Sequence, residues 1–262
     1  MKRRSFVKAS LLTTAIGAII PQAGMASKNK NNLDFYELRV YTLKNEAQQT
    51  LVEDFYKNAA IPAMNRISAN PIGVFKELQL NGQTKIYVLI PHKSPEDFTL
   101  MYNKLVEDKA YQQQGSDYLN APATAPAYER IESSFLKAFT HFPKIDVPEN
   151  KPRIFELRRY EHATENAGKK KVEMFNGAGE IDIFKRLGFK PVFFGETLIG
   201  PMRPNLIYMV TFDDMESHDN HWKSFVEDAE WKKISVIPDY ADAKLVSHIT
   251  STLLAPLSFS QI

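Results

Sequence analysis

The 262-residue sequence contains no cysteine. Disulfides, thiolate metal sites, cysteine nucleophiles and a lipidated cysteine anchor are therefore excluded. Glycine is sparse, with 11 residues, and no Gly-rich phosphate loop, Gly-x-Ser-x-Gly elbow or His-Glu-x-x-His motif occurs. A dominant charge is also missing. The formal net charge is +2, and Lys2, Arg3, Arg4 and Lys8 of the opening segment contribute four positive charges, so the remainder stands at −2. That is no electrostatic footprint for nucleic acid. The opening apolar run, Ala9–Ile20, falls short of the roughly 20 residues that span a bilayer.

What is present begins with that segment. Lys2-Arg3-Arg4-Ser5-Phe6-Val7-Lys8, the apolar run, Pro21 and the small residues Gly24 and Ala26 read as a twin-arginine export leader over residues 1–26. Cleavage after Ala26 is expected, then passage through the twin-arginine translocase as folded cargo to the periplasm or medium. No stable membrane anchor should remain. The composition, 44% hydrophobic and 11% aromatic, is that of a well-cored globular protein.

An internal repeat organises the rest. Phe35-Tyr36-Glu37-Leu38-Arg39-Val40-Tyr41 returns as Ile154-Phe155-Glu156-Leu157-Arg158-Arg159-Tyr160. Phe75-Lys76-Glu77 returns as Phe194-Gly195-Glu196 at the same shift, and Glu107-Asp108-Lys109-Ala110-Tyr111 as Glu227-Asp228-Ala229-Glu230-Trp231 one residue off it. Each half reads β-α-β-β-α-β. In the first half, residues 33–140, the strands are expected near 35–43, 74–80, 85–90 and 128–138. The first helix, near 45–67, should be kinked or divided at Pro62. Asn81-Gly82 signals a hairpin, and Ser94-Pro95-Glu96-Asp97 is a helix start with Ser94 as cap. The second half, residues 153–262, repeats the pattern, with Gly177-Ala178-Gly179 as a helix irregularity or hinge. Residues 141–152, with three prolines, read as the linker. β-α-β-β-α-β is the ferredoxin-like unit, whose sheet has one bare face. Two such sheets packed face to face would bury both.

Tyr36-Glu37-Leu38-Arg39-x-Tyr41, its copy Phe155-Glu156-Leu157-Arg158-x-Tyr160, the segment Trp222–Trp231 with Glu230-Trp231-Lys232-Lys233, and the tail Leu253-Leu254-Ala255-Pro256-Leu257-Ser258-Phe259-Ser260 resemble the NIPSNAP family. The first unit departs from the pattern, having Tyr102 and Tyr111 where the second has Trp222 and Trp231. The resemblance covers nearly all of the mature chain, as two units. It implies a dimeric α+β barrel, here closed within one chain, and no established reaction.

Alternation along the first strands supplies the site candidates. Tyr36, Leu38 and Val40 share one face, and Glu37, Arg39 and Tyr41 the other. Phe155, Leu157 and Arg159 alternate likewise with Glu156, Arg158 and Tyr160. The apolar sets are expected to face the helices and the Glu-Arg-Tyr sets the space between the sheets. Glu37, Tyr41, Glu156 and Tyr160 are then the acid–base candidates. Arg39, Arg158, Glu77 and Glu196 are the candidates to hold a small polar or anionic organic ligand. The competing reading is that these Glu and Arg residues only neutralise each other as buried ion pairs. His218 and His221, three apart near a helix start, form a weak metal pair. His92, His141, His162 and His248 are isolated.

Three functions stay open: an exported enzyme on small organic molecules, a ligand-binding or protein-interaction module without chemistry, and a haem- or metal-dependent oxidation of the kind found among barrel relatives. The cofactor is not specified by the sequence, and self-association into a homo-oligomer is compatible with it.

Overall fold

The computed structural model describes residues 33–79 and 82–262. The expected export leader and Asn81 of the first hairpin lie outside them. The first unit comprises β1 (Phe35–Leu43), α1 (Glu46–Phe55), a π turn (Tyr56–Ala60), α2 (Ile61–Arg66), β2 (Gly73–Glu77), β3 (Thr84–His92), α3 (Pro95–Glu107), α4 (Lys109–Gln114), α5 (Ser116–Leu119) and β4 (Arg130–Ala138). The second comprises β5 (Ile154–Glu161), α6 (Glu165–Gly177), α7 (Glu180–Arg186), β6 (Lys190–Ile199), β7 (Asn205–Phe212), α8 (Met215–Glu227), α9 (Ala229–Ser235), α10 (Asp242–Leu245) and β8 (His248–Pro256).

Local chemistry sets the helix ends. Asn45, Ser94, Thr164 and Asp214 each accept a backbone N–H from the first turn of the helix that follows, satisfying donors that no helix can bond internally. Pro62 sits in the first turn of α2, just after the π turn, where the wider coil accommodates the bond proline cannot donate. Gly179, at φ 94°, separates α6 from α7, a left-handed step that costs glycine little. Asp108 and Asp228 both end one helix and cap the next.

The eight strands form a closed antiparallel barrel in the order β1-β3-β2-β8-β5-β7-β6-β4. Each unit contributes four consecutive strands, and two seams join the sheets. One pairs β2 with β8 (Glu77 opposite Leu254). The other pairs β4 with β6 (Ala138 opposite Gly195). Closure leaves no open edge, so every strand finds two hydrogen-bonding neighbours.

Three apolar cores result. Two lie between barrel and helices, one under α1–α5 around Tyr41, Val52, Tyr56 and Met64, the other under α6–α9 around Tyr160, Phe175, Phe184 and Tyr208. The third fills the barrel: Tyr36, Leu38, Phe75, Leu89, Leu136, Phe155, Phe193, Met209 and Leu254. Burying such side chains fully stabilises the fold by roughly 1.5–3 kcal/mol each.

This arrangement reverses the expected strand faces. Tyr36 and Leu38, with Phe155 and Leu157, point into the barrel. Tyr41 and Tyr160 belong to the two helix-covered cores, and Glu37, Arg39, Glu156 and Arg158 share their faces. A strand in a closed, helix-covered barrel is buried on both sides, so hydrophobic alternation does not tell inside from outside.

Candidate functional site

The two Glu-Arg-Tyr strips form matched clusters at the sheet–helix interface. In the first, Arg39 Nε and Nη2 donate to the two oxygens of Glu37 at 2.7 and 2.8 Å. Ser133 Oγ adds a bond of 2.9 Å to Glu37 Oε1. Burial alone would lift the Glu37 carboxyl, but the charge and hydrogen bonds of Arg39 hold it below its ordinary value. Arg39 Nη1 donates to Tyr56, whose hydroxyl lies 2.9 Å from that of Tyr41. In the second cluster, Glu156 accepts from Arg158 (2.7 Å), Trp222 Nε1 (2.7 Å) and Ser251 Oγ. The Arg158 guanidinium lies 4.4 Å from the centre of the Trp222 ring, within cation–π range. Tyr160 and Tyr208 share a hydroxyl contact of 3.1 Å. Each carboxylate is held by its guanidinium, although Arg158 Nε finds no partner, and none of the carboxylates, guanidinia or tyrosines of either cluster lines the three cavities of the barrel and its surroundings.

Glu77 and Glu196 part company. The repeat shift aligns them, but β6 carries a register irregularity between Pro191 and Phe193. Pairing makes Gly195 the counterpart of Phe75, and Thr197 the counterpart of Glu77. A one-residue slip turns a side chain to the other face. Glu77 therefore points into the barrel, whereas Glu196 lines a separate cavity of about 140 Å³ with His162, Lys169 and Arg203. His218 and His221 face different partners: His218 Nε2 lies 3.3 Å from Glu156 Oε2, and His221 Nδ1 bonds the Ser217 carbonyl. Among the described residues no group of three or more His, Asp and Glu side chains is placed to hold a metal ion.

The open space is the barrel mouth. Apolar packing fills one end, and the other opens into a cleft of about 720 Å³ lined by Val40, Tyr87, Leu157, Arg159, Ile207 and Thr252, with Glu77, Lys85, Glu132, Glu161 and His248 among its polar groups. Tyr87 donates to Glu77 Oε1 at 2.6 Å. Burial, reinforced by that carboxylate, pushes the Tyr87 phenol well up, so it stays a proton donor. Lys85 Nζ stands 4.0 Å from the same oxygen.

Arg159 is the group that alternation missed. It faces the barrel in register with Ile207 and Thr250, as Val40 does with Tyr87 and Glu132 in the first unit. Its Nε is buried without a hydrogen-bond partner, and its Nη1 donates to the sulfur of Met202 at 3.0 Å. Among the described residues no carboxylate pairs with it. The signal was present in the repeat, where the second copy breaks an apolar position with a cation.

Register equivalence also shows that the mouth has an approximate twofold axis with unlike groups on its two sides. Val40 matches Arg159, Tyr87 matches Ile207, and Glu132 matches Thr250. The first unit supplies the Glu77–Tyr87 pair and the second supplies the guanidinium. The cleft is one asymmetric site per chain.

Eight antiparallel strands from two ferredoxin-like units, with helices outside and a cleft at the mouth, define a dimeric α+β barrel built within a single chain. The NIPSNAP family model matches residues 36–141 and again 155–261, and the chain belongs to that family. Among solved structures it is similar to a protein of Fusobacterium nucleatum described as a "putative monooxygenase" (12% identity, 86% of this chain and 93% of that one, TM-score 0.58). A protein of the same description from Lactobacillus acidophilus is similar at 9% identity (86% and 94%, TM-score 0.56). A single-unit NIPSNAP family protein of Agrobacterium tumefaciens matches 45% of this chain over 96% of its own length (21% identity, TM-score 0.37). No curated protein matches the sequence.

Proposed function

We propose that this protein binds a small organic anion in the barrel-mouth cleft, with Arg159 as the anchor. The observation that carries this is the state of the guanidinium: it faces a cavity, its Nε lacks a partner, and a thioether occupies Nη1. A guanidinium is built to meet carboxylate or phosphate oxygens in pairs, and leaving its buried donors unmade is costly. The apolar wall of Val40, Leu157 and Ile207 suits an apolar ligand body. Glu132 is exposed at the rim, where solvent screens it, and Glu77 is already engaged by Tyr87.

Calorimetric titration with benzoate, a one-ring carboxylate, tests the reading. Wild type should bind, and Arg159→Ala should bind at least about tenfold more weakly, the worth of one hydrogen bond to a charged group. Equal binding by the two proteins would overturn the assignment.

A second reading, that the cleft also transforms its ligand, draws on the short Tyr87–Glu77 contact, a phenol and a carboxylate in position to relay a proton. Mass spectrometry of aromatic acids incubated with the protein should then show a product that Glu77→Gln fails to make. The site of action we propose is outside the cytoplasm, on the strength of the paired arginines and the short apolar run that follow Met1. Cell fractionation should find a chain carrying Arg3→Lys and Arg4→Lys retained inside.

A further inference from the structure

The hairpin loop between β6 and β7 ends over Arg159, and its geometry is fixed from below. Asn205 Nδ2 donates to the carbonyls of Pro201 and Met202 at 3.0 and 2.9 Å. Asn205 Oδ1 in turn accepts from Thr197 Oγ1 at 2.6 Å. Met202 adopts φ 58°, a left-handed conformation uncommon for a residue with a side chain. The clamp thus holds a strained backbone that delivers the Met202 sulfur to Arg159 Nη1. Sulfur is a weak acceptor, so the contact occupies the cation without satisfying it.

Exposure singles out the same residue. Met202 is 58% exposed, and Met215 follows at 42%. Met64, Met101, Met174 and Met209 are all buried. Met174 also touches a cation, Lys171, but out of reach of solvent. Met202 therefore combines access for an oxidant with a charged donor on its sulfur.

We propose that Met202 is a redox-sensitive modification site and that its oxidation by a peroxide closes the cleft's cationic anchor. The step is a two-electron oxidation. The thioether sulfur attacks one oxygen of hydrogen peroxide, an S–O bond forms as the O–O bond breaks, and the second oxygen leaves as water after proton transfer. The product sulfoxide carries a strongly polar oxygen on the atom that already faces Arg159. It gives the guanidinium an internal acceptor where the thioether gave a weak one, and an incoming carboxylate must then displace it. Reductases specific for each sulfoxide epimer reverse the change.

Closure to anions rests on the reading of Arg159 given above, but the state of Arg159 can be measured without a ligand. The full chain is treated with hydrogen peroxide and then with phenylglyoxal, which modifies free guanidinium groups, and both reactions are mapped by peptide mass spectrometry. Met202 and Met215 should oxidise ahead of the four buried methionines. Modification of Arg159 should slow at least about tenfold after peroxide. The same slowing should occur in Met215→Leu, be absent in Met202→Leu, and be undone by methionine sulfoxide reductases. Met202 oxidising no faster than the buried methionines would overturn the proposal. So would an Arg159 rate that peroxide leaves unchanged. A benzoate titration of the untreated protein runs alongside: failure to bind there rejects the anion reading alone, because Arg159 protection is read independently.

Discussion

Arg39 and Arg159 carry the same charge into opposite surroundings. Arg39 is locked on Glu37 in a two-pronged pair, and Glu37 is 4% exposed. Arg39→Ala would strand that carboxylate, and a destabilisation of about 3 kcal/mol is expected in urea unfolding. Arg159 leaves no buried partner behind, so Arg159→Ala should change stability little while removing the anion anchor. Glu180 offers a third test. Burial lifts its carboxyl to about 7, against the opposing charge of Lys171 at 3.6 Å. A carboxyl raised in the folded state supports the fold in full below its ordinary value, 4.5, and the support fades as pH rises through about 7. Glu180→Gln stays neutral throughout. Relative to wild type it should gain stability between about pH 5 and about pH 8, on the order of 2 kcal/mol, in paired denaturant titrations.

At the level of strands and helices, the two units differ most where β6 meets β4. Gly195 faces the barrel there, and a β-carbon on it would lie 2.9 Å from Leu136 Cβ. Its register counterpart Phe75 fills the equivalent space on the other seam and packs 4.9 Å from Phe155. Gly195→Val should cost about 1–3 kcal/mol by overpacking, read as a lowered unfolding midpoint. Much of this element structure was legible in the sequence: the repeat, the cap at Ser94 and the break near Gly179 all follow from local rules, whereas the cap at Asp214 emerges only from the structure. Two further things were not legible. Inside and outside of β1 and β5 could not be separated, because Tyr41 buries under helices as fully as Tyr36 buries in the barrel. The irregularity in β6 hid the fact that Glu196 and Glu77 point to different faces. Arg159 breaks an apolar position of the repeat, but it shares the alternation of Phe155 and Leu157, so period alone groups it with their face.

Across the whole molecule, the seams make the two units one folding problem. Each unit alone would leave β2 and β4, or β6 and β8, with a neighbour on one side only, and open edges invite pairing with other chains. Both tryptophans, Trp222 and Trp231, lie in the second unit, so their fluorescence follows that half while far-ultraviolet circular dichroism follows both. The two signals should show coincident unfolding transitions, as for a single cooperative unit. A separate early transition in either probe would mean that the seams are weaker than the units they join.

The approximate twofold axis through the mouth has a consequence for how such a protein can change. In a barrel assembled from two identical chains, one codon writes both sides of the axis. A second arginine would then stand at the Val40 position, facing the first across the opening. Here each side has its own codon, so Arg159 arises without a twin and the Tyr87–Glu77 pair without a copy. A heritable substitution can tune one end of a bound molecule and leave the other untouched, a freedom that no symmetric pair of subunits possesses.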